Sequence, residues 1–287
     1  MLNWWILIKE RFSPASYVPM IFLFTGANGL FFASAQGQPW NWGRFVLVFL
    51  LLLSFFFRMR LFDEIKDYEV DVKVNPTRPL ARGILTVSQV KVALLVLIVF
   101  EVVLASSLGL FCLLIHAAAM GYSLLMYEEF FVGDVLRPHL TTYAVTHTFV
   151  SVLLGLSSGV AMTNMNPQEL SPKLLLFVFM NWAFFNLFEF ARKTFASAEE
   201  RPHVPSYSNI FSDKGAWALS LSQAILGVGV VYYLLPHWIW PASLTAYIVL
   251  SSVYIIKKTT PAAQFFRAIS GVYLLFHYAL VIYMWRS

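Results

Sequence analysis

The sequence predicts an all-α polytopic membrane protein with nine transmembrane helices and a cytoplasmic N-terminus. Three observations carry this reading. The chain is 59% hydrophobic and only 12% charged, where a soluble domain would carry about 25% charged residues. Its apolar residues gather into nine runs bounded by turn and charge signals, each compatible with crossing a bilayer, some short or tilted. With the N-terminus inside, all of the 20 Lys and Arg residues except Arg44, Lys173 and Arg286 fall on inner segments. The positive-inside rule fixes that orientation, and the bias independently supports an odd number of spans.

Residues 1–12 mix apolar and aromatic side chains with Lys9 and Arg11. They lack the basic segment, apolar core and small-residue site of a cleaved leader, so a short interfacial helix is expected. The spans follow at 17–35, 44–62, 87–105, 110–126, 140–163, 172–190, 216–235, 242–256 and 265–285. Local signals mark several starts. Thr86-Val87-Ser88-Gln89 has the capping-box pattern before the third span. Ser171-Pro172 places a capping residue and then proline at the first helical position of the sixth. Ser212-Asp213 is expected to cap the seventh. No sequence repeat or second soluble domain is evident, so residues 1–287 read as one membrane domain.

The long connections 63–86, 127–139 and 191–214 all fall on the inner side, as do all acidic residues except Glu101 and Glu169. Function is therefore expected at the cytoplasmic face of a membrane, taken to be a bacterial inner membrane. The net charge of +5 is explained by that basic face, which attracts anionic lipids and anionic substrates; nucleic acid is not an expected partner. Cys112 is the single cysteine, which rules out an intrachain disulfide. Zinc-ligand spacing, a Gly-rich phosphate loop and a nucleophile elbow are lacking. Oligomeric state is not legible. Glu101, in mid-span, is expected to have a structural partner, because charge within a bilayer is costly; His116 and His147 are expected to be satisfied within the bundle.

The chemistry concentrates in Asp63-Glu64-Ile65-Lys66-Asp67-Tyr68-Glu69-Val70-Asp71. Residues four apart stack on one helical face, so Asp63 or Glu64, Asp67 and Asp71 form a carboxylate ladder. Like charges at that spacing repel unless a cation neutralises them. Mg²⁺ suits hard oxygen ligands and is usually held by one or two carboxylates together with substrate phosphates, so the ladder points to a diphosphate at a membrane surface.

With nine spans and this acidic segment after the second, the chain resembles the UbiA-type intramembrane prenyltransferases. The continuation Asn75-Pro76-Thr77-Arg78-Pro79-Leu80-Ala81-Arg82-Gly83 is the most specific part of the match. The resemblance implies a UbiA-like helical bundle, Mg²⁺ as cofactor and an isoprenyl diphosphate as substrate. It implies metal ligands among Asp63, Glu64, Asp67, Asp71 and, after the sixth span, Glu189. Arg78 and Arg82 would meet the phosphates or close the loop over them, with Arg192, Tyr122 and Asn186 as further substrate contacts. Catalysis would rest on Asp67 and Asp71; Lys193, outside the family pattern, is added as a catalytic candidate for its charge.

The rest of the pattern departs from the family. A second acidic motif is expected after the sixth span, yet Asn186-Leu187-Phe188-Glu189-Phe190-Ala191-Arg192-Lys193 keeps one acid and has Lys193 where the next would stand. The Y-x-x-x-K motif after the fourth span reads Tyr122 to Met126, without the lysine. Ionising an allylic diphosphate requires charge neutralisation on the leaving group and a dry aromatic site for the cation. Arg78, Arg82, Arg192, Lys193 and the abundant aromatic residues supply both, and Lys193 could replace the charge of one metal. Two classes follow. One is an enzyme that transfers an isoprenyl group to a lipophilic, for instance aromatic, acceptor, with intramolecular cyclisation as a variant. The other is a lipid-binding or transport protein that kept the fold.

Overall fold

The computed structural model describes residues 2–201 and 204–286. Met1 of the N-terminal segment, Pro202 and His203 of the 191–214 connection, Ser287 and the side chain of Arg286 lie outside the described residues. The elements are helical in order: α1 Leu2–Arg11, α2 Pro14–Ala35, α3 Trp42–Lys66, α4 Tyr68–Val74, α5 Val87–Ser107, α6 Leu110–Tyr127, α7 Gly133–Leu136, α8 Leu140–Thr148, α9 Val150–Thr163, α10 Pro172–Arg192, α11 Tyr207–Leu234, α12 Ile239–Lys257 and α13 Thr260–Arg286. Among the described residues, nine helical runs are long and apolar enough to cross a membrane, α8 and α9 together making the fifth. No strand occurs among the described residues.

The expected start signals are used. Thr86 accepts from Gln89 N while the Gln89 side chain accepts from Thr86 N, and Ser171 accepts from Leu174 N. The seventh span differs. Its helix begins earlier, at Tyr207, capped by the Ser206 hydroxyl. Ser212 interrupts it with φ 63° and ψ 170°, a left-handed backbone unusual for a residue with a side chain. The residue expected to cap the span is therefore the break between a short lead-in helix and the span.

The chain divides into two compact units, residues 1–131 with 157–167, and residues 132–156 with 168–287. In the first, α3 packs against α2, α5 and α6. Close approach depends on small residues: a side chain at Gly29 would lie 2.6 Å from Met162 Cγ. Lipid tails are as apolar as the helix surfaces, so association rests on such packing and on hydrogen bonds between helices. Arg44 Nη2 donates to Leu108 O at 2.6 Å and its Nε to Ala161 O, a cation meeting carbonyls at helix ends. Under the 75–86 connection, Leu7, Leu61, Phe62, Leu80, Leu85, Val90 and Leu94 form a small core that fixes α1 against the end of α3.

In the second unit α10 packs on α8, α11 and α13, and α12 on α11 and α13. Polar side chains link the spans: Tyr278 Oη donates to Asn181 Oδ1 at 2.9 Å, Trp217 Nε1 to Ser251 Oγ at 2.8 Å, and Tyr247 Oη lies 2.9 Å from Ser270 Oγ. Gly227 faces Phe184, whose ring a Cβ would meet at 2.8 Å.

Candidate active site

The carboxylate ladder lies wholly in the first unit. Although α3 ends at Lys66 and α4 begins at Tyr68, the helical hydrogen-bond track continues through the break. Asp67 N donates to Asp63 O at 2.9 Å, Asp71 N to Asp67 O at 2.8 Å and Asn75 N to Asp71 O at 2.8 Å. Residues 63, 67 and 71 are therefore one turn apart along the backbone.

The connection that follows folds back onto the ladder. Arg82 N donates to Arg78 O, Gly83 N to Leu80 O and Ile84 N to Pro79 O. Gly83 takes φ +76°, a conformation open to glycine at little cost. The turn brings Arg78 Nη1 to 2.5 Å from Asp71 Oδ2 and 3.6 Å from Asp67 Oδ2. Asn75 Nδ2 donates to the other Asp71 oxygen at 3.0 Å. Asp71 is buried while the Asp67 side chain is half exposed, so one guanidinium spans an inner and an outer carboxylate.

Asp63 and Glu64 diverge. Asp63 pairs with Arg60 at 3.2 Å. Glu64 points elsewhere: it is buried against Arg11 of α1, and its Oε2 accepts no hydrogen bond. Arg82 pairs with Glu10 of α1 at 2.5 Å, and Asn3 donates to Ile84 O at 2.8 Å. The N-terminal helix thus clasps both ends of the motif, a role that Arg11 and Glu10 do not reveal by spacing. Lys66 reaches Glu129 at 2.8 Å. That acid opens a left-handed turn, with φ of 49°, 55° and 57° at Glu129, Phe130 and Phe131. Tyr122 contacts the Phe130 ring at 5.3 Å between centroids.

A second cluster belongs to the other unit. Glu189, in the last turn of α10, is held by Arg192, with Nη2 to Oε1 at 2.8 Å, and by Lys193 Nζ at 3.1 Å. Asn186 is buried one turn earlier; its Oδ1 accepts from Thr148, and its Nδ2 donates to Gln223 Oε1 at 3.4 Å. It lines a cavity of about 290 Å³ with Trp182, Phe179 and Gln223. The loop beyond is fastened. Arg267 donates to Thr194 O at 2.9 Å and to both Glu199 oxygens, and Ser206 and Ser208 donate to Glu200 at 2.7 Å. The Arg267 guanidinium holds the Glu199 carboxyl below its ordinary range, with the Ala196 amide adding to the effect.

Among the described residues no three His, Cys, Asp or Glu side chains gather closely enough to hold a metal ion alone. The pair Asp67 and Asp71 nevertheless suits Mg²⁺, because both carboxylates already share one cationic partner in Arg78 and phosphate oxygens commonly complete the shell of this ion. Glu64 pairs with Arg11, and Glu189 with Arg192 and Lys193.

The model of the UbiA prenyltransferase family matches residues 20–198, more than half of the chain. This chain belongs to the UbiA prenyltransferase family. Enzymes of the UbiA family generally use divalent metal ions, and its members are intramembrane prenyl-transfer proteins. Two solved structures share the fold. An apo UbiA homologue from Aeropyrum pernix K1 aligns with a TM-score of 0.62 at 14% identity, over 91% of this chain and 97% of that one. A digeranylgeranylglyceryl phosphate synthase studied in membranes aligns at 0.64 and 14% identity, over 98% and 99%. Comparison with curated protein sequences finds no match. The UbiA match and the nine apolar helices together make the chain a multi-pass membrane protein.

Proposed function

We propose that this chain transfers an isoprenyl group from a prenyl diphosphate to a lipophilic acceptor within the membrane, as one domain whose reacting face is cytoplasmic. The observation that supports this best is the shared grip of Arg78 on Asp67 and Asp71. It keeps two hard carboxylates and a phosphate-binding cation together at the end of a span. Mg²⁺ held by Asp67 and Asp71, with Asp63 one turn away, would supply positive charge to the leaving diphosphate.

In the reaction the bond from the allylic C1 to oxygen breaks and its electron pair leaves with the diphosphate. The acceptor donates an electron pair to C1 and then loses a proton to water. Arg78, released from Asp71, binds phosphate oxygens, and its planar donors suit them. Arg82, Arg192 and Lys193 are the further cations this reading assigns to the diphosphate, with Tyr122 and Asn186 assigned to the organic substrates. Glu64 anchors α1 through Arg11 in place of a metal.

One observation favours the second class, a lipid-binding protein without chemistry. Every ladder carboxylate already has an arginine within reach, so the ladder does not need a metal to be tolerated. The test is Mg²⁺-dependent pyrophosphate release from C10 to C20 and longer prenyl diphosphates. Asp67→Ala and Asp71→Ala are each expected to lower release about 100-fold or more, the scale of losing transition-state charge stabilisation. Absence of release across the whole panel from the unsubstituted protein would favour the binder.

A further inference from the structure

We propose that Arg58 and Glu101 are positioning residues, whose buried pair sets the register of α3 and so the place of the ladder at its end. This rests on the diphosphate reading above. Arg58 Nε lies 2.9 and 3.1 Å from the two Glu101 oxygens, and its Nη1 donates to Ser123 Oγ at 2.9 Å. Glu101 also accepts from Ser54 at 3.2 Å and faces His116 Nε2 at 3.4 Å, while His116 Nδ1 meets Ser157 at 3.0 Å. Side chains of α3 and α6 thus converge on the Glu101 carboxylate of α5, with Ser157 of α9 joined through His116, and Arg58, Glu101, His116, Ser123 and Ser157 are all buried.

The placement goes beyond what stability needs. Well-packed apolar residues of similar volume would serve stability at least as well as a buried ion pair. Moreover, Arg58 Nη2 is buried without a hydrogen-bond partner, so the network is not optimised as a set of bonds. What the pair does supply is direction. Helices in lipid gain little from hydrophobic contrast, so directional bonds add to close packing in opposing a slide or turn of α3. One turn of slip would move the ladder by about 5.4 Å. The link to the ladder is short. The guanidinium lies 4.5 Å from the Phe55 ring and 5.3 Å from that of Phe62, and Phe62 directly precedes Asp63.

The test uses the full chain in lipid nanodiscs with R58M/E101M, which removes both charges together, and S123A, which removes one acceptor. Three quantities are read: the unfolding temperature, KM and kcat for Mg²⁺-dependent pyrophosphate release, and hydrogen exchange of amides 63–71. R58M/E101M is expected to keep the unfolding temperature, raise KM for the diphosphate about 10-fold or more, and speed exchange at 63–71. S123A is expected to move KM and exchange the same way by a smaller factor, and it decides the matter if the double variant fails to fold. Unaltered KM and exchange in folded variants would overturn the proposal. If the unsubstituted protein releases no pyrophosphate, the enzymatic reading fails by itself, and the exchange measurement still judges the positioning.

Discussion

Segments 63–83 and 186–193 stand at the ends of the second and sixth spans and would be twins in a regular member of the family, yet their charges are organised oppositely. In the first, acids outnumber the local cations, and balance comes from afar: Arg78 from across a turn, Arg11 from another helix. In the second, one acid is enclosed by its own neighbours, Arg192 and Lys193, three and four residues on. A long-range pair can be exchanged for a ligand by moving a loop, whereas an i to i+4 pair is part of the helix surface itself. On the proposed reading the first segment exchanges its cations for a ligand, and the second presents them.

The largest effect expected of this contrast is the loss caused by Asp71→Ala, which removes the buried carboxylate that Arg78 and Asn75 both hold. Lys193→Ala is milder. If its charge assists the diphosphate, KM rises by about 5- to 10-fold, corresponding to about 1 kcal/mol for a partly screened charge. Mg²⁺-dependent diphosphate binding left unchanged by Lys193→Ala would show that the cation only neutralises Glu189. Together the two variants test whether the first segment holds metal and the second supplies charge in its place.

The nine spans found among the described residues were legible because each is a predominantly apolar run, and Thr86 and Ser171 mark two of the starts by local rules that hold in the structure. The early start of α11 was hidden because Ser212 does break the backbone where the span begins, and the lead-in helix before it is capped by Ser206, which bonds Glu200 of the preceding loop. The spacing of the ladder could be read from periodicity, but its partners could not. Helical phase puts Glu64 beside Asp63; which of the two faces Arg11, 53 positions away in sequence, depends on how α1 packs. For Glu101 a structural partner was foreseeable from the cost of intramembrane charge, while the identity of Arg58 required the packing of α3 on α5.

The loop after α10 offers a test by pH. Glu199 is held below the ordinary carboxylate range chiefly by hydrogen bonds from Arg267. A carboxyl whose folded pKa is depressed contributes its full stabilisation above the unfolded value and loses it as pH falls through the folded one. Amide protection at 194–200 should therefore be level at neutral pH and decline only in acid, from the range where an unpaired glutamate titrates downward. Glu199→Gln should flatten that decline. A decline near neutral pH would assign it to another group.

The smallest effect distinguishes the clasp from the ladder. Glu10 and Arg82 are both substantially exposed, and exposed pairs are worth about 0.2–1 kcal/mol. Freeing Arg82 through Glu10→Gln should lower KM for the diphosphate by no more than about 5-fold, with kcat unchanged, if Arg82 reaches phosphate. The gain should shrink as salt is raised, because screening weakens the competing pair in the unsubstituted protein. An increase in KM would mean that Glu10 holds Arg82 in its working position, making the clasp part of the site and not its competitor. Since Glu64 stays tied to Arg11 in this variant, α1 keeps its second anchor, and the outcome reports on Arg82 alone.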